Sequence, residues 1–476
     1  VGVIPIGNWN QSGLAYSKYS GNPDSFYKLC GCDIHSEPGI VKAAQKLTKD
    51  SSTTITEFVK CQITSSNGRT YHFSADSGKI WEEVSGTYTL VLTTTAAAGE
   101  VKCLGAYEYQ GYIYWATQSR LHRILATDAE GAAEWAANKA LNWATFTKTD
   151  ISFHPMIEQN QVLYIGDASY LAQVDSGTFS ANALDIETPL RIKSLGKIST
   201  DVLLGTYIDD NVAKTKIIRW NTWSVSFTNS DEIDEVGINA FLPMDNFSLV
   251  SAGVAGNIYF YDGVKLELWK KVPGSYSSTA TALVHPNAVG SLNGNVLFGM
   301  SNISGNPTDQ GVYQIGRHSR DFKYVMDLTY PLSIRSGSAF VLTGIEIGSI
   351  LVKGQNVYVA WKYGTTYGID KIDYSNKLNG AYIETRVMTV EREKEENISN
   401  IVVAYASLPA STAVGIGYDK NYTGSYTAAT VTTDTNRKII DADGEGLTCN
   451  TLQLKFTLTT NSNDTPLIDS AGVFLR

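Results

Sequence analysis

Few residues in this chain are placed by type and spacing to do chemistry. Cys30-x-Cys32 with Asp33 and His35 puts two thiols on one side of a strand, with a carboxylate and an imidazole just beyond, as in a metal centre. A structural zinc needs four ligands at closing distance and no second ligand pair follows, so the two read as small core thiols and no metal is expected. Asp441-Ala442-Asp443-Gly444-Glu445-Gly446 resembles a calcium loop in its acidic, glycine-turned texture. It lacks the twelfth-position carboxylate and flanking helices, and reads as a turn. His122, His154, His285 and His318 fall in separate stretches with no Gly-x-Ser-x-Gly nucleophile nearby, so each reads as a packed or surface imidazole. With no Gly-rich phosphate loop between a strand and a helix, no cofactor is expected either.

Ser74-Ala75-Asp76-Ser77-Gly78-Lys79-Ile80-Trp81 follows the pattern Ser-x-Asp-x-Gly-x-x-Trp and resembles the Asp box of sialidase-type propellers. The resemblance implies that Ser74 and Asp76 satisfy turn amides, Gly78 makes the turn and Trp81 packs between sheets, a structural role rather than catalysis. Asp175-Ser176-Gly177-Thr178-Phe179 is a degenerate echo, with its aromatic one place early. A sialidase-like enzyme would need a positive cluster for a carboxylate, a Tyr nucleophile with an acidic partner, and an acid/base carboxylate. Arg69, Arg120, Arg123, Arg191, Arg219, Arg317, Arg320 and Arg335 supply guanidinium groups, but no catalytic motif surrounds any of them. The chain reads as non-enzymatic, with no catalytic residue.

The elements that position these residues follow from composition. The 476 residues are 43% hydrophobic and 18% charged, with 38 basic against 47 acidic side chains and a net charge of −9. That length predicts two or three domains. A mean hydropathy of −0.12 and the absence of a long apolar run exclude a membrane-spanning helix. The acidic balance, without a Lys/Arg cluster, argues against nucleic acid as a partner. Five scattered cysteines, Cys30, Cys32, Cys61, Cys103 and Cys449, describe free thiols rather than a disulfide framework. The opening Val1-Gly2-Val3-Ile4-Pro5-Ile6 has neither an initiator Met nor a basic-then-apolar leader, so targeting is not readable from it.

With 41 glycines and 27 tyrosines, and short apolar runs separated by Asn-Gly and Gly-Asn turns, the chain is all-β. A hairpin of a turn, an aromatic or aliphatic strand and a second short strand recurs. Its copies begin near Tyr71, Tyr112, Val162, Val202, Ile258, Val296 and Val357. The mean period of about 48 residues matches one four-stranded propeller blade, and intervals of about 38 to 61 make the repeat structural rather than sequence-exact. Sheets stacked radially cover one another's faces, so about seven blades are expected over residues 51–384. Residues 1–50 are expected to contribute to ring closure, through Tyr27 to Ile34. Ala129 to Trp143 is Ala-rich and reads as a helix inserted on a loop.

Beyond residue 384 the texture changes. The charged stretch Glu391 to Glu396 reads as a solvated strand end, and Leu452-Gln453-Leu454-Lys455-Phe456-Thr457-Leu458 alternates with period two. A C-terminal β-sandwich over 385–476, entered by a strand near Tyr382 to Val390, is expected.

Three stretches carry a wider resemblance. They are Ile4 to Trp9 with Asp33 to Gly39, Tyr107 to Thr117, and Leu452 to Phe456 continuing to Pro466-Leu467-Ile468. In texture and strand order the chain resembles tailed-bacteriophage virion proteins of the propeller class, such as tail hub, nozzle or tail-surface components. The resemblance implies a virion structural protein in the phage tail, held in several copies by contacts with itself and with other virion proteins. The alternative is a glycan- or host-surface-binding propeller, because Tyr and Trp serve equally at subunit interfaces and against sugar faces.

Overall fold

Short β-branched and aromatic runs between turn residues form strands nearly throughout. The computed structural model describes residues 3–7, 9, 13–15, 17–19, 25–51, 54–94, 102–148, 150–274, 281–301, 311–335, 344–390, 396–429, 432–433, 436–441 and 447–476. The tight turns explain the up-and-down path. At Gln110-Gly111 and Asn293-Gly294 both residues have positive φ (47° and 76°, 52° and 79°). This is the type I′ geometry whose twist matches the two strands it joins.

The strands group into antiparallel meanders. Sheet A holds Val59–Thr64, Thr70–Ser74, Lys79–Val84 and Thr87–Thr93; sheet B holds Gly105–Tyr109, Tyr112–Ala116, Arg120–Leu125 and Ala140–Thr145. Sheet C holds Met156–Gln159, Val162–Asp167, Tyr170–Asp175 and Thr178–Asp185; sheet D holds Arg191–Ile198, Asp201–Tyr207, Thr215–Trp220 and Asn229–Ile233. Sheet E holds Ile238–Pro243, Ser248–Ala252, Asn257–Tyr261 and Leu266–Lys271; sheet F holds Leu283–Leu292, Asn295–Ser301, Gly311–Gly316 and Val325–Tyr330. Sheet G combines Ile345–Lys353, Asn356–Tyr363 and Thr366–Lys377 with the distant Gln45–Lys49.

These sheets circle an axis as a β-propeller does. The first strand of each touches the first strand of the next, and Ile345–Lys353 of sheet G returns to Val59–Thr64 of sheet A. Each neighbouring pair also shares an apolar core. Phe73 of A meets Trp115 of B, Tyr114 of B meets Ile165 of C, Leu171 of C meets Leu204 of D, and Leu203 of D meets Val250 of E. Leu242 of E lies with Phe298 of F, Leu297 of F with Val359 of G, and Ala360 of G with Trp81 of A. A four-stranded sheet cannot cover both its faces alone, and the ring solves this by burying each against a neighbour.

Several sequence expectations are corrected. The strand that completes sheet G is Gln45–Lys49, with Leu47 opposite Ile372, rather than Tyr27 to Ile34. An outer strand needs one apolar contact, and Leu47 is the single buried residue of Gln45–Lys49. Phe26–Cys30 instead buries Phe26, Leu29 and Cys30 between sheet F and the C-terminal strands. It runs parallel to Val325–Tyr330 at Cys30 and Leu328, and antiparallel to Ala381–Thr385.

The Ala-rich helix α1 spans only Gly131–Asn138, and Trp143 lies in the fourth strand of sheet B. Trp135 anchors α1 against Tyr71 and Trp115, while the Trp143 ring is held by the Arg123 guanidinium 4.2 Å away. The fifth repeat, expected at Ile258, falls one strand late: Asn257–Tyr261 is the third strand of sheet E. Placing that repeat at Leu249 in the second strand makes the steps from Val202 and to Val296 equal, at about 47 residues each.

After sheet G the chain enters Ala381–Thr385, which pairs with Thr451–Thr459, itself paired with Ala413–Lys420. A second sheet holds Val3–Ile6, Ile468–Leu475, Glu396–Tyr405 and Arg437–Asp441. Leu452, Leu454, Phe456 and Leu458 of the first face Ile401, Val403 and Val473 of the second across one core. Each such burial contributes about 1.5–3 kcal/mol. Glu391 to Glu395 and Ala442 to Gly446 lie outside the described residues, as do the side chains of Glu396 and Asp441. All five cysteines are free and buried, and no described helix is long and apolar enough to cross a membrane.

Candidate ligand site at the mouth of the ring

The turn at Ser74 to Trp81 joins the second and third strands of sheet A. Ser74 Oγ accepts from the Asp76 amide (3.0 Å), and Asp76 Oδ2 accepts from the Phe58 amide (3.0 Å). Gly78 has a φ of 70°, and Trp81 packs with Ile55, Tyr358 and Ile369 between sheets A and G. Sequence reasoning missed Glu57. Its carboxylate accepts from the Ser74 and Ser77 hydroxyls (2.5 Å each) and pairs with Lys79 at 2.7 Å. The Ser74, Asp76, Ser77 and Glu57 side chains all hydrogen-bond within the turn and its flank, as a structural role requires.

The other candidates are dispersed. Arg69 pairs with Glu82 and Glu130, Arg219 with Asp201, and Arg317 lies over Tyr324. Arg123 sits between Tyr112 and Trp143, and Arg120 donates to Thr145. The Arg335 side chain is outside the described residues. Cys30 and Cys32 are buried in the core, and His35 contacts the carboxylate of Asp327. No group of three or more His, Cys, Asp or Glu among the described residues is disposed to hold a metal. His122 is stacked on Trp115 and accepts from the Asn142 amide, His154 is stacked on Phe146, and His318 contacts the His35 carbonyl.

One cavity stands out, about 590 Å³ in volume, at the ring end where the second-to-third and fourth-to-first connections emerge. Its walls include Phe153, Ile192, Tyr207, Ile208, Val254 and Leu283, an apolar surface broken by Arg191, Lys193, Asp209 and Asp210. Arg191 and Lys193 lie on the first strand of sheet D, whose pairing with the second strand shifts register between Ile192 and Ser194, and both line the cavity. Their surroundings differ. Arg191 pairs with Asp150 (2.7 Å) and Asp209 (2.9 Å), which together neutralise it.

Lys193 has no carboxylate partner among the described residues. Its Nζ donates to Asn239 Oδ1 at 2.7 Å, and Asn239 Nδ2 in turn donates to the Gly253 carbonyl at 2.6 Å, which fixes the amide. The lysine stem runs over Gly237, where a Cβ would stand 3.3 Å from Nζ. Gly237 has a φ of 148°, so both backbone and space favour glycine there. Burial pushes the Lys193 ammonium down to about 8.

A second partly buried ammonium and a neutral imidazole lie near Lys193. Lys60, on the first strand of sheet A, is also lowered by burial, with Glu346 acting against it. His285 lies edge-on to Phe153 at 4.5 Å and accepts from the Asn287 amide (3.4 Å). Burial, and then the charges of Lys60 and Lys193, hold it well below the usual histidine range. Ile151 and Ser152 line both the large cavity and a second of about 380 Å³ that reaches Lys60. Asp167, pushed up to about 6 by burial, accepts from the Thr147 and Lys148 amides through Oδ2, while its Oδ1 is buried with no hydrogen-bond partner among the described residues.

Local sequence gives little notice of this site. Arg191-Ile192-Lys193-Ser194 reads as an ordinary half-exposed strand, and only the packing of neighbouring sheets places Arg191 and Lys193 at a cavity.

No protein-family model and no curated protein matches the chain. Among solved structures it is similar to the extracellular domain of a B. thetaiotaomicron protein described as a one-component system. The identity is 13% and the TM-score 0.47, covering 75% of this chain and 43% of that one. Catalytically inactive virginiamycin B lyase from Staphylococcus aureus with quinupristin aligns at 11% identity and TM-score 0.46, covering 69% of this chain and 99% of the lyase. The β-propeller domain of Cps50 (Swd1) from Myceliophteria thermophila aligns at 14% identity and TM-score 0.43, covering 67% and 97%. The chain spans less than half the length of the first of these.

Proposed function

We propose that this chain is a non-enzymatic structural protein of a tailed-bacteriophage virion, a seven-bladed propeller followed by a C-terminal sandwich, assembled in the tail with copies of itself and with other virion proteins. The blade count rests on taking sheets A to G as one closed series, with sheet F counted although its outer strand continues into the C-terminal strands. The sandwich rests on the shared core of the two C-terminal sheets.

The observation that carries the assembly reading is an exposed apolar rim on sheets D and E. Trp223 is 82% exposed, Val225 97% and Val264 84%. The loop bearing the first two is preformed: Asn221 Oδ1 accepts from the Trp223 and Ser224 amides (3.0 Å each), and Trp220 Nε1 donates to the Ser224 carbonyl (2.8 Å). Arg219, at the start of that loop, reaches the Gly263 carbonyl of the neighbouring hairpin. Large apolar side chains on a rigid loop cost solubility and are the usual mark of a protein–protein contact. Native mass and electron-microscope class averages test this. A symmetric oligomer that falls to monomer on Trp223→Ser with Val225→Ser supports the reading; a monomer at every concentration overturns it.

A further inference from the structure

The geometry points to a binding site for a small carboxylate with an apolar body at the mouth of the ring, the carboxylate held by Lys193 and the body against Phe153, Tyr207 and Val254. This goes beyond the assembly reading. The cavity lies at the end of sheet D opposite the Trp223 loop, since the connections after its second and third strands emerge at opposite ends.

The first argument is charge. A nearly buried ammonium is costly unless a carboxylate or several acceptors compensate it. Arg191, on the same strand and in the same cavity, has two carboxylates. Lys193 has one amide oxygen among the described residues, and a second buried ammonium, Lys60, acts on the same imidazole, His285. An added carboxylate here meets an uncompensated cation, whereas at Arg191 it would displace Asp150 or Asp209.

The second argument is construction. Asn239 is 1% exposed and its amide is fixed by the Gly253 carbonyl, so the acceptor that anchors Lys193 has one orientation. Gly237 supplies the groove through which the lysine stem passes. A side chain held in a dedicated channel beside a cavity has already lost its rotamer freedom, which lowers the cost of binding. The third argument is the apolar wall. A cavity of about 590 Å³ is larger than a bare oxyanion needs, and its aromatic and aliphatic lining suits an alkyl or aryl body.

Calorimetric titration of the full chain at pH 7 with benzoate, benzyl alcohol and inorganic phosphate tests the proposal. Benzoate is expected to bind saturably, and benzyl alcohol and phosphate at least about tenfold more weakly. Lys193→Gln, which keeps a donor for Asn239, is expected to lose about tenfold or more, and Lys193→Arg to stay within about threefold of the wild type. Absence of saturable benzoate binding overturns the proposal. So does equal binding by Lys193→Gln, by benzyl alcohol or by phosphate. If Lys193→Gln does not fold, as its thermal unfolding curve would show, the benzyl alcohol and phosphate arms decide.

Discussion

Two buried basic groups, His35 and Lys193, are treated differently. Where sheet F meets the strands that lead to the C-terminal sheets, His35 contacts the carboxylate of Asp327, which also accepts from Thr329 Oγ1 at 2.8 Å. Both side chains are almost wholly buried. At the mouth of the ring, Lys193 has an amide for its partner and no carboxylate among the described residues. A pair closed within the protein ties two segments of chain together. A cation left with spare donors beside a cavity raises the energy of the unliganded state and rewards an incoming anion. The first arrangement serves the fold, and the second serves recognition.

The sharpest way to break this contrast is to remove the carboxylate of the closed pair. Asp327→Ala leaves His35 and Thr329 without their acceptor and should cost about 3–5 kcal/mol in denaturant unfolding. A loss below about 1 kcal/mol would place the pair with ordinary exposed ones and remove the contrast. The pH dependence gives an independent check. Burial alone would lower His35, but Asp327 outweighs it and raises the imidazole above its ordinary value. The stabilisation is therefore complete below pH 6.5 and is lost as pH rises through the folded value of His35. Asp327→Ala should flatten that slope.

The opposite sign is expected at the mouth. Lowering Lys193 from 10.5 to about 8 corresponds to a burial penalty of about 3 kcal/mol at pH 7. Lys193→Met removes that penalty but leaves Asn239 Oδ1 without its donor, at a cost of about 1–2 kcal/mol. A net gain of about 1–2 kcal/mol should remain at neutral pH. Between pH 8 and 10.5 the folded wild type binds fewer protons than the unfolded chain, so its stability rises with pH and the variant's advantage closes. A variant less stable than the wild type at pH 7 would mean that Lys193 is already compensated.

How much of this was legible in the sequence differs between fold and site. Turn chemistry at Gln110-Gly111 and Asn293-Gly294 and the apolar runs after them locate the second strands of most sheets, because the signal lies within ten residues. Gln45–Lys49 escaped because one buried leucine in five residues leaves no pattern. The Ala-rich run was read too long because His122 and Arg123, both distant in sequence, draw Asn142 and Trp143 into a strand. The site was hidden for a deeper reason. Lys193, Asn239, Gly253 and Phe153 come from four separate segments, and no spacing relates them until the ring closes. The Asp-box turn was visible because its residues are contiguous, although the partner Glu57 lies outside the motif.

The smallest expected effect is also the most local test of whether Lys193 and Lys60 share one mouth. His285 is held down first by burial, then by Lys60, then by Lys193. Removing either charge, by Lys60→Met or Lys193→Met, should let the imidazole titrate at a higher pH while burial still keeps it below 6.5. The shift should be read from the imidazole NMR signals, with His72, which burial holds at about 3, as an internal reference remote from Lys193. Benzoate should move His285 in the same direction, because a carboxylate on Lys193 cancels part of the same field. A His285 signal that responds to Lys60→Met but not to Lys193→Met would separate the two cations, and the positive field at the mouth would then belong to Lys60 alone.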